Sequence, residues 1–261
     1  MNRIDYIRTI AAHNFWTEMA RPAQDREPLD ADGWNSLFVS CLVNRAIPWE
    51  RAMTLNDEMK RRTGYTDTLR MYTELSPAMI EWVMFDDDGD YSVDDGIHGV
   101  GRNGALHRYR YLCGYLHEAM CRIRDEWDGS AGNLHGDEPT GGEFLRRIMT
   151  FRGMGAKVGS LYCRLAVLSH GAVLWDGYAG LDVSPDRWIC RVMSHLGLVS
   201  EDPIPQEVIN KARELSPYAP VEWDGLFLVG LDFACGTDNQ MCLGNPEGQR
   251  CPLIKACRAR C

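Results

Sequence analysis

Residues Phe144 to Leu168 read FLRRIMTFRGMGAKVGSLYCRLAVL, and this stretch decides the fold. Apolar side chains recur at helical spacing from Phe144 to Phe151 and again from Val158 to Leu168, the pattern of helices with one buried face. Between them Gly153 and Gly155 flank Met154, which leaves room for a tight hairpin and little else. The first backbone N–H groups of the second helix then lack helical acceptors, and together with the helix dipole they favour an anion such as a DNA phosphate. An ordinary helix–turn–helix corner, with glycine supplying positive φ, accounts for the same two residues. The glycines alone do not choose between these readings.

Working outward, the same periodicity covers Ile4 to Met19, Trp34 to Val43, Leu69 to Met84, Tyr109 to Ile123, Trp188 to Leu198 and Val208 to Leu215. Long β-branched alternation is absent, and turns rich in Gly, Asp and Pro, such as Gly96 to Gly104 and Gly129 to Gly142, separate the segments. The expected fold class is all-α. At 261 residues and 45% hydrophobic content, the chain can bury the core of one large or two modest domains. It contains no run of about 18 apolar residues, and Met1 to Arg21 carries polar residues throughout, without an apolar signal core. A soluble, intracellular protein is expected.

The net charge of −9 argues against a nucleic-acid partner if taken as a sum, because phosphate binding draws on clustered Lys and Arg. Its distribution tells more. Acid concentrates at Asp86, Asp87, Asp88, Asp90, Asp94 and Asp95, while base gathers at Arg146, Arg147, Arg152 and Lys157 and at Arg250, Lys255, Arg258 and Arg260. Asp86, Asp88 and Asp90 alternate as in a calcium loop, yet Gly89 is misplaced for one and Ile97 stands where the bidentate Glu is required, which favours a solvated loop.

Cys235, Cys242, Cys251 and Cys257 follow one another with six, eight and five residues between them. Thiolates this close can all reach one iron–sulfur cube. Structural zinc sites use shorter knuckles, which makes zinc the second choice, and a disulfide framework belongs to small secreted domains. Cys261 is a further thiol able to replace a neighbour as ligand. Cys41, Cys113, Cys121, Cys163 and Cys190 stand singly in apolar stretches, as small buried hydrophobes do.

The order Gly153-Met154-Gly155-Ala156-Lys157, then Gly159, then Asp186-Arg187-Trp188-Ile189-Cys190-Arg191-Val192, then the cysteine cluster, resembles the helix-hairpin-helix DNA glycosylases of the endonuclease III type. The resemblance covers Phe144 to Cys257 well and the N-terminal half faintly. It implies a two-lobed helical fold: a barrel domain over residues 25–178 containing the hairpin, and a cluster-bearing domain from residues 1–24 and 179–261 with a four-cysteine iron–sulfur loop. Cys235, Cys242, Cys251 and Cys257 would hold a 4Fe-4S cluster, and the partner would be double-stranded DNA containing a lesion or mismatch, bound by a monomer. Gly153 and Gly155 would bind the DNA backbone. Asn44 and Arg45 would fill the gap left by an extruded base, and Trp49, Trp175 and Tyr178 are candidates to line the base pocket.

By the same resemblance Lys157 is the nucleophile of the bifunctional enzymes and Asp186 the carboxylate that assists base loss. The chemistry suits both residue types: a lysine amine attacks the sugar and forms a Schiff base, and a carboxylate stabilises the oxocarbenium-like sugar. Strand cleavage by β-elimination, an abasic-site lyase step, would follow. Lys157 also reads as a phosphate contact and Asp186 as a helix N-cap. A monofunctional enzyme using water, and a non-catalytic iron–sulfur DNA-binding protein, therefore stay open. Three departures from the family stand out: the added segment Gly171 to Leu181, the added segment Leu243 to Arg250, and Arg152 where the family carries proline.

Overall fold

The structure, a computed structural model, describes residues 2–19, 28–44, 47, 49–85, 110–235 and 248–258. No strand occurs among the described residues, and the chain divides into two compact units. One comprises Glu27–Asp137 with Arg146–Tyr162, the other Met1–Arg26, Glu138–Leu145 and Cys163–Cys261.

The first unit is built around α2 (Ala31–Asn44), whose residues from Leu37 to Val43 are all buried. A helix apolar on every side belongs at the centre of its neighbours. Here α3 (Trp49–Thr63), α4 (Thr68–Glu74) and α6 (Tyr111–Glu126) pack on it, and α5 (Pro77–Phe85) packs on α3 and α6. Phe38 sits edge-on to Phe151 at 5.0 Å and to Tyr162 at 5.4 Å, so the hairpin stretch is keyed into this core. Gly132 is required by close approach: a Cβ there would lie 2.7 Å from the Trp34 indole. Several polar groups of this core are paired, although Asn56 Oδ1, Tyr72 Oη and Ser160 Oγ are buried without a hydrogen-bond partner among the described residues. Asn35 donates to the Gly129 carbonyl and accepts from the Ala131 N–H, each at 2.9 Å, and Asp32 accepts from Lys60 and from the Thr68 N–H.

The period from Leu69 to Met84 predicts one helix, but the structure breaks it into α4 and α5. Pro77 starts the second, at the position where its missing N–H is tolerated. The periodicity from Ile4 to Met19 likewise divides into α1 (Arg3–Asn14) and a π-helical turn at Phe15–Met19. Helix α3 leaves a thin apolar signal in the sequence, because only Ala52, Leu55, Asn56 and Met59 mark its buried face and most of the rest is charged or polar.

In the second unit α1 lies against the 3-10 turn Pro220–Gly225, so closely that a Cβ on Gly225 would sit 2.0 Å from the Ala11 carbonyl oxygen. Helix α9 (Arg187–His195) packs on α11 (Leu226–Asp232), and α10 (Pro205–Leu215) touches both α9 and the 3-10 turn. The fully buried Trp223 donates its indole N–H to Ser216 at 3.0 Å. Arg3 donates to the carbonyls of Ala256 and Leu196, and the Tyr6 hydroxyl donates to Pro252 at 2.6 Å. The first helix thus holds the last described segment. No helix among the described residues is long and apolar enough to cross a membrane.

Candidate active site

The hairpin joins α7 (Gly141–Met149) to α8 (Ala156–His170). Its turn is closed by Phe151 N–H to Ile148 and Met154 N–H to Phe151, at 3.1 and 3.0 Å. Phe151 and Met154 are buried, which anchors the loop from below. Gly153 has φ of +95°, a conformation that a side chain resists. Gly155 is different: its carbonyl accepts the first α8 bond, from Gly159 at 2.8 Å, and a Cβ on it would meet nothing within 4 Å. The fold does not need that position bare, so the open space is available to something outside the chain. Ala156, Lys157 and Val158 precede the first i to i−4 bond of α8, and their amides have no helical acceptor.

Lys157 lies in this first turn and is exposed. A cation at a helix N-terminus opposes the helix dipole, so the residue is poorly explained as a device of helix stability. Two arginines flank the turn. Arg122 lies over the Phe151 ring at 4.4 Å and donates to the Thr150 carbonyl at 3.0 Å, while Arg152 lies over Tyr115 at 4.7 Å with 66% of its side chain exposed. Arg122 belongs to no motif, and its role in bracing the hairpin follows from tertiary packing alone. Arg146 is exposed, whereas Arg147 is bound to Asp137 at 2.6 Å and to the Leu134 carbonyl.

Asp186, in the other unit, is the N-cap of α9. One carboxylate oxygen accepts from the Trp188 and Ile189 amides at 2.8 and 2.9 Å, and the residue is 7% exposed. The stretch leading to it, from Leu181 to Asp186, is buried throughout without being helical. Its polar groups therefore need partners within the protein. Asp182 is bound by Arg213 through two bonds of 2.7 Å. Asp224, fully buried, accepts from the Ser184 N–H at 2.7 Å, from its hydroxyl at 3.2 Å and from Arg164 at 2.5 Å. Burial pushes the Asp224 carboxyl above its ordinary range, with Arg164 and Ser184 pulling the other way. Two other aspartates that precede Asp186 in the chain have structural employment: Asp182 holds Arg213, and Asp176 accepts from the Gly141 N–H at 2.8 Å.

The added segment Gly171 to Leu181 is tied down. Ala172 donates to Ala166, Trp175 donates to Pro139 at 3.1 Å, and the segment ends in a 3-10 turn, Gly177–Gly180. From it Trp175 projects 81% exposed, and the half-exposed Tyr178 stacks edge-on to Trp16 at 5.3 Å. An indole this bare is not a core residue. Trp49 is half-buried at the start of α3.

Asn44 ends α2 and donates to the Ile47 carbonyl at 3.1 Å, closing its own helix end, and Arg45 lies outside the described residues. So do Cys242 and Cys261, the acidic stretch from Asp86 to Asp95 and the turn from Gly96 to Gly104. Cys235, Cys251 and Cys257 carry half-buried thiols. Two of them meet at the end of α9: Cys235 Sγ is 3.3 Å from His195 Nδ1, and the Cys257 thiol donates to the His195 carbonyl at 3.7 Å. Among the described residues no three His, Cys, Asp or Glu side chains form a metal cage. Arg250, Lys255 and Arg258 are exposed around this segment.

No family model matches the chain. A stretch of 152 residues is 28% identical to the atrochrysone carboxyl ACP thioesterase of Aspergillus fumigatus, spanning 58% of this chain and 35% of that protein. Among solved structures, a non-covalent endonuclease III–DNA complex matches with a TM-score of 0.62 at 14% identity, over 99% of this chain and 96% of that one. A trapped endonuclease III–DNA covalent intermediate matches with a TM-score of 0.61 at 15% identity and the same coverage. A thermostable thymine-DNA glycosylase matches with a TM-score of 0.58 at 14% identity, over 99% and 98% of the two chains. The likeness establishes a shared fold.

Proposed function

We propose that the protein is a base-excision repair glycosylase that extrudes a damaged or mismatched base from double-stranded DNA and cleaves its glycosidic bond. The observation that carries this reading is the exposed Lys157, in the first turn after a glycine hairpin, within a fold shared over nearly the whole chain with DNA glycosylases. Extrusion is required because the glycosidic bond cannot be reached inside the stack. The open space at Gly155 and the orphan amides of α8 receive a backbone phosphate. The ordered, bare Trp175 offers a face for an unstacked base, and Asn44 and Arg45 enter the gap that base leaves.

In the bifunctional mechanism the Lys157 amine attacks C1′ and the C1′–N bond breaks, the base departing with the bonding electrons. Asp186 accepts the proton lost by the attacking amine and stabilises positive charge on the sugar. Protonation of O4′ and cleavage of the C1′–O4′ bond then open the sugar ring to an iminium, which makes the C2′ proton acidic, and removal of that proton expels the 3′-phosphate by β-elimination. In the monofunctional alternative, water takes the place of the amine and Lys157 contacts DNA.

Cys235, Cys242, Cys251 and Cys257 are the proposed ligands of a 4Fe-4S cluster. The donor set is all-thiolate, and two of its members already meet at His195. When bound, the cluster fixes the C-terminal loops so that Arg250, Lys255 and Arg258 face phosphate, with no redox role needed. Iron and sulfide analysis of anaerobically purified protein checks this; stoichiometric zinc in their place refutes it.

Borohydride trapping on abasic duplex tests the nucleophile. Wild-type protein is expected to form a covalent adduct and Lys157→Ala none, with DNA binding retained. Persistent trapping in the variant removes Lys157 from the mechanism. Base release that produces strand scission only after alkali supports the monofunctional form.

A further inference from the structure

We propose that Asp224 is a positioning residue for Asp186, acting through Ser184 and itself held by Arg164. This rests on reading Asp186 as the carboxylate of the reaction. A buried, non-helical stretch from Leu181 to Asp186 delivers that carboxylate, so its placement depends on what grips the stretch. The grip lies two residues upstream, where Asp224 takes both the N–H and the hydroxyl of Ser184, at 2.7 and 3.2 Å. Ser184 in turn accepts from the Asp186 N–H at 2.7 Å, which makes a continuous hydrogen-bonded path from Asp224 to the Asp186 backbone. Arg164, from α8, donates at 2.5 Å to Asp224 Oδ2, the oxygen that also takes the Ser184 hydroxyl, and Asp182 with Arg213 provides a second, outer anchor.

The cost of this arrangement favours a positional role. A fully buried carboxylate paired with a largely buried guanidinium pays in desolvation, and an apolar filler of similar size often stabilises a fold as well or better. What the pair supplies that an apolar filler does not is directed acceptance of two donors from one residue. That fixes Ser184, and through it the angle at which the chain enters the cap of α9. A carboxylate displaced by about 1 Å from the reacting sugar is expected to lose about a hundredfold in rate.

The test compares Asp224→Asn, Ser184→Ala and Ser184→Thr with wild type. Single-turnover base release on a lesion duplex, burst amplitude and duplex affinity are measured, together with hydrogen exchange at the Trp188 and Ile189 amides. Asp224→Asn is expected to slow the chemical step about ten- to hundredfold and Ser184→Ala to slow it less, each at unchanged affinity. Ser184→Thr, which keeps the hydroxyl, should restore the rate. The two capped amides should exchange faster in the slowed variants, while α10 keeps its protection. A reduced burst amplitude at wild-type rate would mean a fold-only role and overturn the proposal. So would wild-type exchange at both amides. If Asp224→Asn does not fold, the two Ser184 variants decide alone. If Asp186→Asn releases base at the wild-type rate, the reading of Asp186 as the reacting carboxylate fails, and if no substrate is found, the glycosylase reading fails. The exchange measurement then still reports whether Asp224 holds the Asp186 cap.

Discussion

The hairpin and the Asp186 shelf present the two proposed reacting groups in opposite ways. Lys157 stands exposed on a turn with open space beside it, whereas Asp186 is 7% exposed and bonded to the backbone of its own helix. The contrast fits the roles proposed for the two groups. An amine that forms and releases a bond to sugar needs a flexible stem and access, while a carboxylate that stabilises charge acts best when already in place. One region is therefore built for approach and the other for rigidity.

Asp186→Asn is the sharpest way to break that comparison. Asparagine caps helices about as well as aspartate, so α9 should keep its stability while the charge is lost. Base release is expected to fall about 10²–10⁴-fold with little change in melting temperature. Parallel loss of stability and activity would reduce Asp186 to a cap.

The two hairpin glycines should then separate. Gly155→Ala places its Cβ in open space, so folding is expected to be unaffected while duplex affinity weakens about tenfold, which corresponds to about 1.4 kcal/mol. Gly153→Ala must adopt φ of +95° and should lower stability, by about 1 kcal/mol or more. Equal effects of the two on stability would mean that Gly155 serves the fold after all.

Trp175→Ala sharpens the assignment of the added segment. The side chain is 81% exposed, so the melting temperature should not move. Stacking on an unpaired base would cost about 1–3 kcal/mol of binding, and Trp175→Phe should recover part of it. Unchanged affinity for lesion duplex in Trp175→Ala would exclude the stacking role.

The smallest expected effect is a difference in acid response. Glu58, hydrogen-bonded by Arg61 and also by Arg62 against some burial, is held at about 2 instead of its ordinary 4.5. Its contribution to the hairpin-bearing unit is present above pH 4.5 and is lost as pH falls toward about 2. Asp224 has the opposite sign: its pKa is raised from 3.8, so its contribution is present below that value and is lost as pH rises through the raised one. Amide exchange during acid titration should loosen α3 before α9, and Glu58→Gln should flatten the α3 response. Simultaneous loosening of both helices would contradict this.

Much of the fold was legible because helical period survives in sequence. Trp34 to Val43, Tyr109 to Ile123 and Trp188 to Leu198 each foretold a helix at nearly its observed place, and Gly-x-Gly between two periodic runs located the hairpin. Helix α3 was missed because its buried face is thin, and the break at Pro77 because apolar residues continue across it. In the candidate site, Lys157 and Asp186 were legible from the order of motifs. Arg122, Arg164, Ser184 and Asp224 were not, since each matters through a partner far away in the chain.

The sequence by itself determined an all-helical chain, a glycine hairpin followed by a lysine, and an aspartate at a helix start, because period, turn chemistry and capping are local properties. Tertiary structure alone decided that Gly155 faces open space, that Trp175 is bare, and that Leu181 to Asp186 runs buried under the hold of Asp224 and Arg213. Burial and ion pairing depend on which distant segments the folded chain brings into contact, and no local pattern encodes that choice.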